Sequence, residues 1–377
     1  MNILAEQVPA DLALTGPATP DVPPSGREPL IVALIPAHNE AQRIGAALAA
    51  LRRQSPAPDR TVVVCDNCTD DTALVAAVLG AEVMSTADNR DKKAGALNQA
   101  LARLEPELAD TDLVLVQDAD TTLNPGFLRA AVDASTEGVG GVGGIFYGEP
   151  GGGLLGVLQR IEFHRYAISI ARKRYRAEVL TGTASLFRAG VLREIHRARR
   201  SGRLGGGTGY YSVSSLTEDD EITKAVRTLG YRTVSPPGCE VVTEVMPTVP
   251  RLWQQRLRWQ RGALENLRDY GWTRVTAPYI LRQFLMALSV LFMFMYLGYM
   301  LLTTLLFGWP QLSTLWACVG LVFVLEKVVT ARKAGWRAHL LVLTLVVELV
   351  YDVIQHCIYV QALWRFAWKR EQRWCAT

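Results

Sequence analysis

Three apolar runs in the first third of the chain stop abruptly at polar residues. "LIVALIPAHNE" (30–40) runs into His38, Asn39 and Glu40. "RTVVVCDNCTDDT" (60–72) runs into Asp66 and Asn67, and "DLVLVQDAD" (112–120) into Asp118 and Asp120. Short apolar runs rich in β-branched residues read as buried strands. Pro36 halts the first, and the second spans Thr61 to Cys65. "AEVMST" reads as a further short strand, while "AQRIGAALAALRRQ", "ALVAAVLG" and "KAGALNQALARL" have helical periodicity. Strand–helix alternation with near-continuous apolar strands predicts a parallel sheet covered on both faces. Ligands of such sheets bind beyond the carboxyl ends of the strands. All three polar endings lie on that side.

The chain has 377 residues and a net charge of +4, enough length for roughly two domains. Its mean hydropathy, +0.13, is high for a soluble enzyme. From Tyr279 onward Leu, Val, Phe and Met dominate, which predicts a soluble domain followed by helices in a membrane. "FLMALSVLFMFMYLGYMLLTTLLF" (284–307) has 24 residues and no charge, long enough to span a bilayer. "LSTLWACVGLVFVLEKVVTA" (312–331) ends with Glu326 and Lys327. The third stretch (340–364) carries Glu348, Asp352 and His356 on one helix face. Ionisable residues in a span face protein or water. A helix–helix contact is the first reading of that face, and a polar pathway the second. Basic flanks at 332–337 and 368–373 do not both fit a cytoplasmic position for three spans. The expected division is an N-terminal arm at 1–29, a cytoplasmic α/β domain at 30–275, about three transmembrane helices at 276–366 and a basic tail at 367–377.

The arm has six prolines in 29 residues and no basic start or apolar core, so it reads as disordered and not as a secretion signal. The catalytic domain is therefore expected to remain in the cytosol, on an integral protein of a bacterial-type plasma membrane. Basic clusters at 171–176 and 196–203 fit a membrane face or an anionic phosphate better than nucleic acid. Six cysteines include one C-x-x-C pair, Cys65 and Cys68, without the further ligands zinc requires. They read as reduced thiols. Two helices with basic and aromatic residues, 151–176 and 249–271, suit either a membrane interface or burial on the globular domain.

Alternation along a strand sends Asp118 and Asp120 the same way. Two carboxylates on one side offer hard oxygen ligands to Mg2+ or Mn2+. Lys92 and Lys93 precede a helix, a position that favours phosphate. Gln255 and Trp259 share a helix face beside Arg258. A Trp face stacks on sugar rings, and Arg grips phosphate.

Five stretches together resemble the membrane-embedded family 2 glycosyltransferases, the group of cellulose, chitin and hyaluronan synthases. They are "IPAHNE", "DNCTDDT", "KAGALN", "DAD", and "LTEDDE" followed by "QRLRW", covering about residues 30–262. "TGTASLFR" (181–188) also resembles the family's acceptor-side segment. The resemblance implies a GT-A (Rossmann-like) α/β domain and an inverting, metal-dependent hexosyl transfer from a nucleotide sugar, UDP-linked by first expectation. It implies Asp219 as the base, Asp118 and Asp120 as ligands of Mg2+ or Mn2+, and Ala37, Glu40, Asp66, Lys93, Asp118 and Arg258 at the nucleotide. Trp259, Gln255, Thr183 and Glu218 would meet the acceptor, a saccharide or a lipid-linked one, with membrane lipids as partners. Large synthases of this group carry spans before the catalytic domain as well. The N-terminal arm here has none, which puts processivity in doubt and leaves homo-oligomers as one way to build a channel. The alternatives are a polyprenyl-phosphate glycosyltransferase, an inactive nucleotide-sugar-binding scaffold, and a transporter argued from Glu348, Asp352 and His356.

"TEDDE" places four acids in a row, Glu218 to Glu221. Thr217 or Glu218 would start a helix, where acids are ordinary. Asp220 and Glu221 read as that ordinary start, while the T-E-D match and the Q-x-x-R-W downstream single out Asp219; a crowd of neighbouring acids is one way to raise a carboxyl pKa, which would suit a base.

Overall fold

In a computed structural model, residues 27–308, 321 and 346–368 are described. The apolar stretch 312–331 falls outside them apart from position 321, as do the basic flank at 332–337, most of the N-terminal arm and residues 369–377.

The expected strands form at the expected places: β1 (Ile31–Ala37), β2 (Arg60–Cys65), β3 (Glu82–Ser85) and β4 (Leu113–Gln117). Pro36 does not halt β1; it sits within the strand opposite Val64. Helices α1 (Ile44–Arg52), α2 (Thr72–Val78) and α3 (Lys92–Leu104) connect them. After β4 come β5 (Thr122–Leu123), α4 (Phe127–Ala134), β6 (Val139–Gly143), β7 (Ile145–Gly148) and α5 (Gly153–Arg172). Next are β8 (Ala184–Arg188), α6 (Ala189–Arg200), α7 (Glu218–Thr228), β9 (Arg232–Val234), β10 (Glu240–Thr243) and α8 (Val249–Tyr270). Helices α9 (Ala277–Phe307) and α10 (Val346–Ala367) follow.

The main sheet has seven strands in the order β3-β2-β1-β4-β8-β6-β9. Its first four strands are parallel, as the alternation predicts, but β8 runs antiparallel to both β4 and β6. The sheet is therefore mixed. Glycine hides the missing part: β6 reads "VGGVG", and a Cβ at Gly140 would stand 2.6 Å from Tyr231 and one at Gly141 2.4 Å from Leu180. Close packing against those side chains excludes the apolar residues that announce a strand.

Both faces of the sheet are covered. Leu97 and Leu101 of α3, Ile195 of α6 and Ile222 of α7 pack on one face. Ile44 and Leu48 of α1 and Phe127 of α4 pack on the other. Phe127 is fully buried, so truncation to Ala would cost about 3–5 kcal/mol. A second sheet, β5-β10-β7, lies beyond the end of β4 and brings the chain after β10 to the same edge.

The two basic, aromatic helices differ from a bare interface. Leu158 of α5 and Leu252 of α8 pack with Tyr351 of α10, and Leu257 and Leu264 of α8 pack with Ile358 and Ala362. Trp253 Nε1 donates to Gln361 Oε1 at 2.6 Å. The face carrying Glu348 meets protein: Arg165 of α5 binds it at 3.1 Å, and Tyr351 donates to Glu162 at 2.6 Å. Helix α9 differs again. It is 31 residues long, long and apolar enough to cross a membrane, and it leaves Phe284, Phe292, Tyr299 and Leu305 more than half exposed. Among the described residues it is the one helix that meets this description.

Candidate active site

The carboxyl edge of the sheet brings Asp118, Lys93, Gly182, Glu218 and Asp219 together from four separate segments. Thr217 is the N-cap of α7, so Glu218 and Asp219 occupy its first turn, where the helix dipole favours carboxylates. Asp219 accepts the backbone N–H of Gly182 at Oδ2, 3.1 Å, and that of Asp220 at Oδ1, 2.8 Å. Burial pushes its pKa up to about 6, with Glu218 and Asp220 adding to the shift. Such a carboxylate is ionised at neutral pH and basic enough to receive a proton.

Gly182 lies close against this cluster. A Cβ there would lie 2.8 Å from Lys93 Nζ, 3.4 Å from Asp118 Oδ2 and 3.6 Å from Asp219 Oδ2. Lys93 donates to Asp118 at 2.5 Å and pairs with Glu218 at 3.0 Å. Burial opposes its charge, but the acids around it hold its pKa well above the usual value. Burial likewise acts against ionised Glu218, yet Lys93 and Arg258 keep its pKa below normal. Lys93 is thus a cation already surrounded by acids, and an incoming phosphate competes with carboxylates for it.

A second group of acids sits just beyond β4. Burial raises Asp118 to about 6 against the pull of Lys93, with Asp120 pushing further. Burial also raises Asp120, with Glu244 adding to it. Glu40 reaches about 7 through burial, then Asp120. Glu244, next after β10, pairs with Arg43 at 3.0 Å. Burial and mutual repulsion outweigh the pull of Lys93 and Arg43 on Glu40, Asp118 and Asp120, and hard oxygen donors in that condition suit a divalent cation. Among the described residues no three His, Cys, Asp or Glu side chains are gathered closely enough to hold an ion by themselves. The donor set fits a metal that shares its coordination with a bound ligand.

The remaining residues singled out in the sequence fall into two groups. Asp66, at the end of β2, accepts Thr86 Oγ1 at 2.9 Å, Asn89 Nδ2 at 2.7 Å and Asn67 Nδ2 at 3.0 Å, all on Oδ1. Three donors on one oxygen leave Oδ2 for another partner. Ala37 is enclosed, its carbonyl accepting the Asp66 N–H at 2.8 Å and the Cys68 thiol at 3.3 Å. Thr183 accepts the Asp118 N–H through its carbonyl at 3.1 Å, and its hydroxyl lies 2.8 Å from that of Thr181. Arg258 stands near Lys92, whose pKa falls through burial and then through that guanidinium. Trp259 carries the Arg256 guanidinium 4.2 Å over one ring face. Gln255 Oε1 is buried without a hydrogen-bond partner.

Asp220 and Glu221 lie in the first turn of α7, the helix start the sequence suggests. Both are buried. Asp220 pairs with Lys224 and accepts Asn266 Nδ2 at 2.8 Å. Glu221 binds Arg199 at 2.6 Å and the Tyr270 hydroxyl at 2.6 Å. Asn266 also reaches Thr217 Oγ1 at 3.2 Å, and a Cβ on Gly262 would lie 2.4 Å from that same oxygen. Helix α8 therefore lies against the cap of α7 and fixes the turn that carries Asp219.

Sequence reasoning missed Glu244, Gly182, Tyr211 and Asn266. Glu244 had the same signal as the others, an apolar strand "EVVT" ending in an acid. The rest had none, because their value lies in contacts 37 to 113 residues away in sequence, such as Gly182 with Asp219, Asn266 with Asp220 or Tyr211 with Asn98.

A family model described as "Glycosyltransferase like family 2" matches residues 29–262, more than half of the chain. The chain belongs to the family 2 glycosyltransferases. This glycosyltransferase is 25% identical over 283 residues to the poly-beta-1,6-N-acetyl-D-glucosamine synthase of Staphylococcus aureus, covering 72% of its own length and 64% of that protein. The synthase of Staphylococcus epidermidis is 23% identical over 257 residues, 64% of this chain and 56% of that one. The glycosyltransferase thus spans under two thirds of the length of these relatives. A mannosyltransferase of Pyrobaculum calidifontis, solved with GDP-Man and Mn2+, superposes with a TM-score of 0.60 at 19% identity, covering 96% of this chain and 92% of that one. That likeness shows a GT-A-like α/β fold.

Proposed function

We propose that this enzyme moves a hexosyl unit from a nucleotide-diphosphate sugar to a hydroxyl of a saccharide acceptor at a membrane surface, with inversion, as a step of polysaccharide synthesis. The observation that carries the reading is the Asp219 carboxylate. Two backbone amides fix it beside the Lys93–Asp118 pair, and burial leaves it basic. Asp219 accepts the proton of the attacking hydroxyl at a carboxylate oxygen. Lys93 and Arg258 counter the charge on the departing diphosphate. Asp66, at the end of β2, offers its unshared oxygen to the nucleoside. Trp259 presents one ring face to the acceptor sugar, and Arg256 behind it holds the ring still.

Asp118 and Asp120 would hold Mg2+ or Mn2+, with Glu40 and Glu244 behind them. Such an ion neutralises the diphosphate as it leaves. The mannosyltransferase of the same fold binds GDP-Man and Mn2+, so the donor panel includes both UDP- and GDP-sugars. The Staphylococcus synthases favour a polysaccharide product. Helix α9 supports a membrane anchor for the enzyme, and the Arg165–Glu348 contact favours a helix–helix role for the third apolar stretch over a polar pathway.

The test is Asp219→Asn. Transfer is expected to fall by about 10²–10⁴-fold, while nucleotide affinity remains. The readout is nucleotide release from purified protein against a donor panel, with Mg2+ or Mn2+ and a chelator control. Near-normal turnover in the variant removes Asp219 as the base.

A further inference from the structure

We infer that the cavity at the foot of α9 binds the phosphate head group of an anionic membrane lipid. The inference rests on α9 being a membrane helix, as proposed above, and not on the transfer reaction. The cavity has a volume of about 330 Å3 and is lined by Tyr166, Ser169, Lys173, Arg176, Glu178 and Arg282. Three of these side chains are cationic and one is anionic, an excess of two positive charges.

Glu178 does not exhaust them. It pairs with Lys173 at 2.9 Å and takes the Arg282 guanidinium on both of its oxygens. Arg176 lines the same cavity and is exposed. The turn before it is built to present these residues, since Arg174 and Tyr175 both adopt the left-handed conformation, at φ 53° and 58°. Phosphate oxygens accept several N–H donors at once, and guanidinium groups match them two at a time. Ser169 and Tyr166 add hydroxyls at the cavity wall.

What surrounds the cavity distinguishes a lipid from a free phosphate. Arg282 lies in the second turn of α9, and its neighbours Leu281, Phe284 and Leu285 are 56%, 64% and 54% exposed. Apolar surface of that kind continues along the helix to Phe307, 83% exposed. A cationic recess opening onto exposed apolar side chains fits a molecule with an anionic head and an apolar tail. A soluble phosphate has no tail to cover that apolar surface. Juxtamembrane Lys and Arg draw anionic lipids in the same way.

The experiment uses the full-length protein in nanodiscs of phosphatidylcholine, titrated with phosphatidylglycerol and followed by thermal unfolding. The wild type is expected to gain stability at low phosphatidylglycerol content. Arg176→Gln and Lys173→Gln should each weaken the apparent affinity about fivefold. Arg172→Gln, on the same helix end but outside the cavity lining, should leave it unchanged. Inorganic phosphate should neither stabilise the protein nor compete. Equal affinity in all three variants, an equal loss in Arg172→Gln, or stabilisation by inorganic phosphate would each overturn the assignment. The readout does not require turnover, so Asp219→Asn protein should bind lipid like the wild type, and loss of transfer alone leaves this site standing.

Discussion

Two sets of carboxylates in this enzyme make opposite use of burial. Asp220 and Glu221 are neighbours in sequence, sit inside α7, and each has a buried cation of its own, Lys224 and Arg199. Glu40, Asp118 and Asp120 come from two different strand ends, share Arg43 and Lys93 with other acids, and are pushed toward protonation by burial and by one another. The first set holds the turn that carries Asp219. The second set is held by the fold in a state that a cation or a diphosphate with its cation would relieve. Like chemistry thus serves structure where each acid has a buried cation of its own, and leaves the acids raised where burial and mutual repulsion outweigh shared cations.

The contrast breaks most visibly at Arg199, whose side chain is fully buried against Glu221. Arg199→Met leaves Glu221 with only the Tyr270 hydroxyl, and stability is expected to fall by about 3–5 kcal/mol. Chemical denaturation measures it. A loss below about 1 kcal/mol would mean that Glu221 is not held as a charge.

The opposite sign is expected at Glu40. Its folded pKa, about 7, lies above its ordinary value of 4.5. The folded protein therefore binds more protons between those limits, and stability falls as pH rises through that window. Glu40→Gln removes the ionised form, so at pH 8 the variant should be about 1–2 kcal/mol more stable than the wild type. That gain should vanish below pH 4.5. Melting curves at the two pH values decide it, and a variant less stable at pH 8 would place Glu40 among the structural acids.

The smallest effect belongs to Asp219, which shares features of both sets. It is half-buried and raised to about 6, yet two amides fix it. The kcat/KM profile should fall roughly tenfold per pH unit below that value. Activity that is flat down to pH 5 would show that Asp219 is ionised there and would move it toward the paired set.

Much of the candidate site was legible. Asp66, Asp118, Asp120 and Glu40 stand where apolar strands end, because a buried strand must stop being apolar where it reaches the ligand edge. The first four strands and the helices between them followed from periodicity, and the T-E-D and Q-x-x-R-W stretches from resemblance. The antiparallel half of the sheet was not legible, since β6 is built from glycines that other side chains require.

By itself, then, the sequence determined the strand ends, the helix that starts at the run of acids, and the apolar run 284–307 that makes up most of α9. These are local properties, fixed by the period of the backbone and by the length of an apolar run. Only the tertiary structure decided which acids carry a partner. Glu221 finds Arg199 22 residues back and Asp220 finds Asn266 46 residues on. Lys93 meets Asp118 25 residues away. No period along the chain encodes those meetings, because they are set by which strands lie side by side and by how closely α8 approaches the cap of α7.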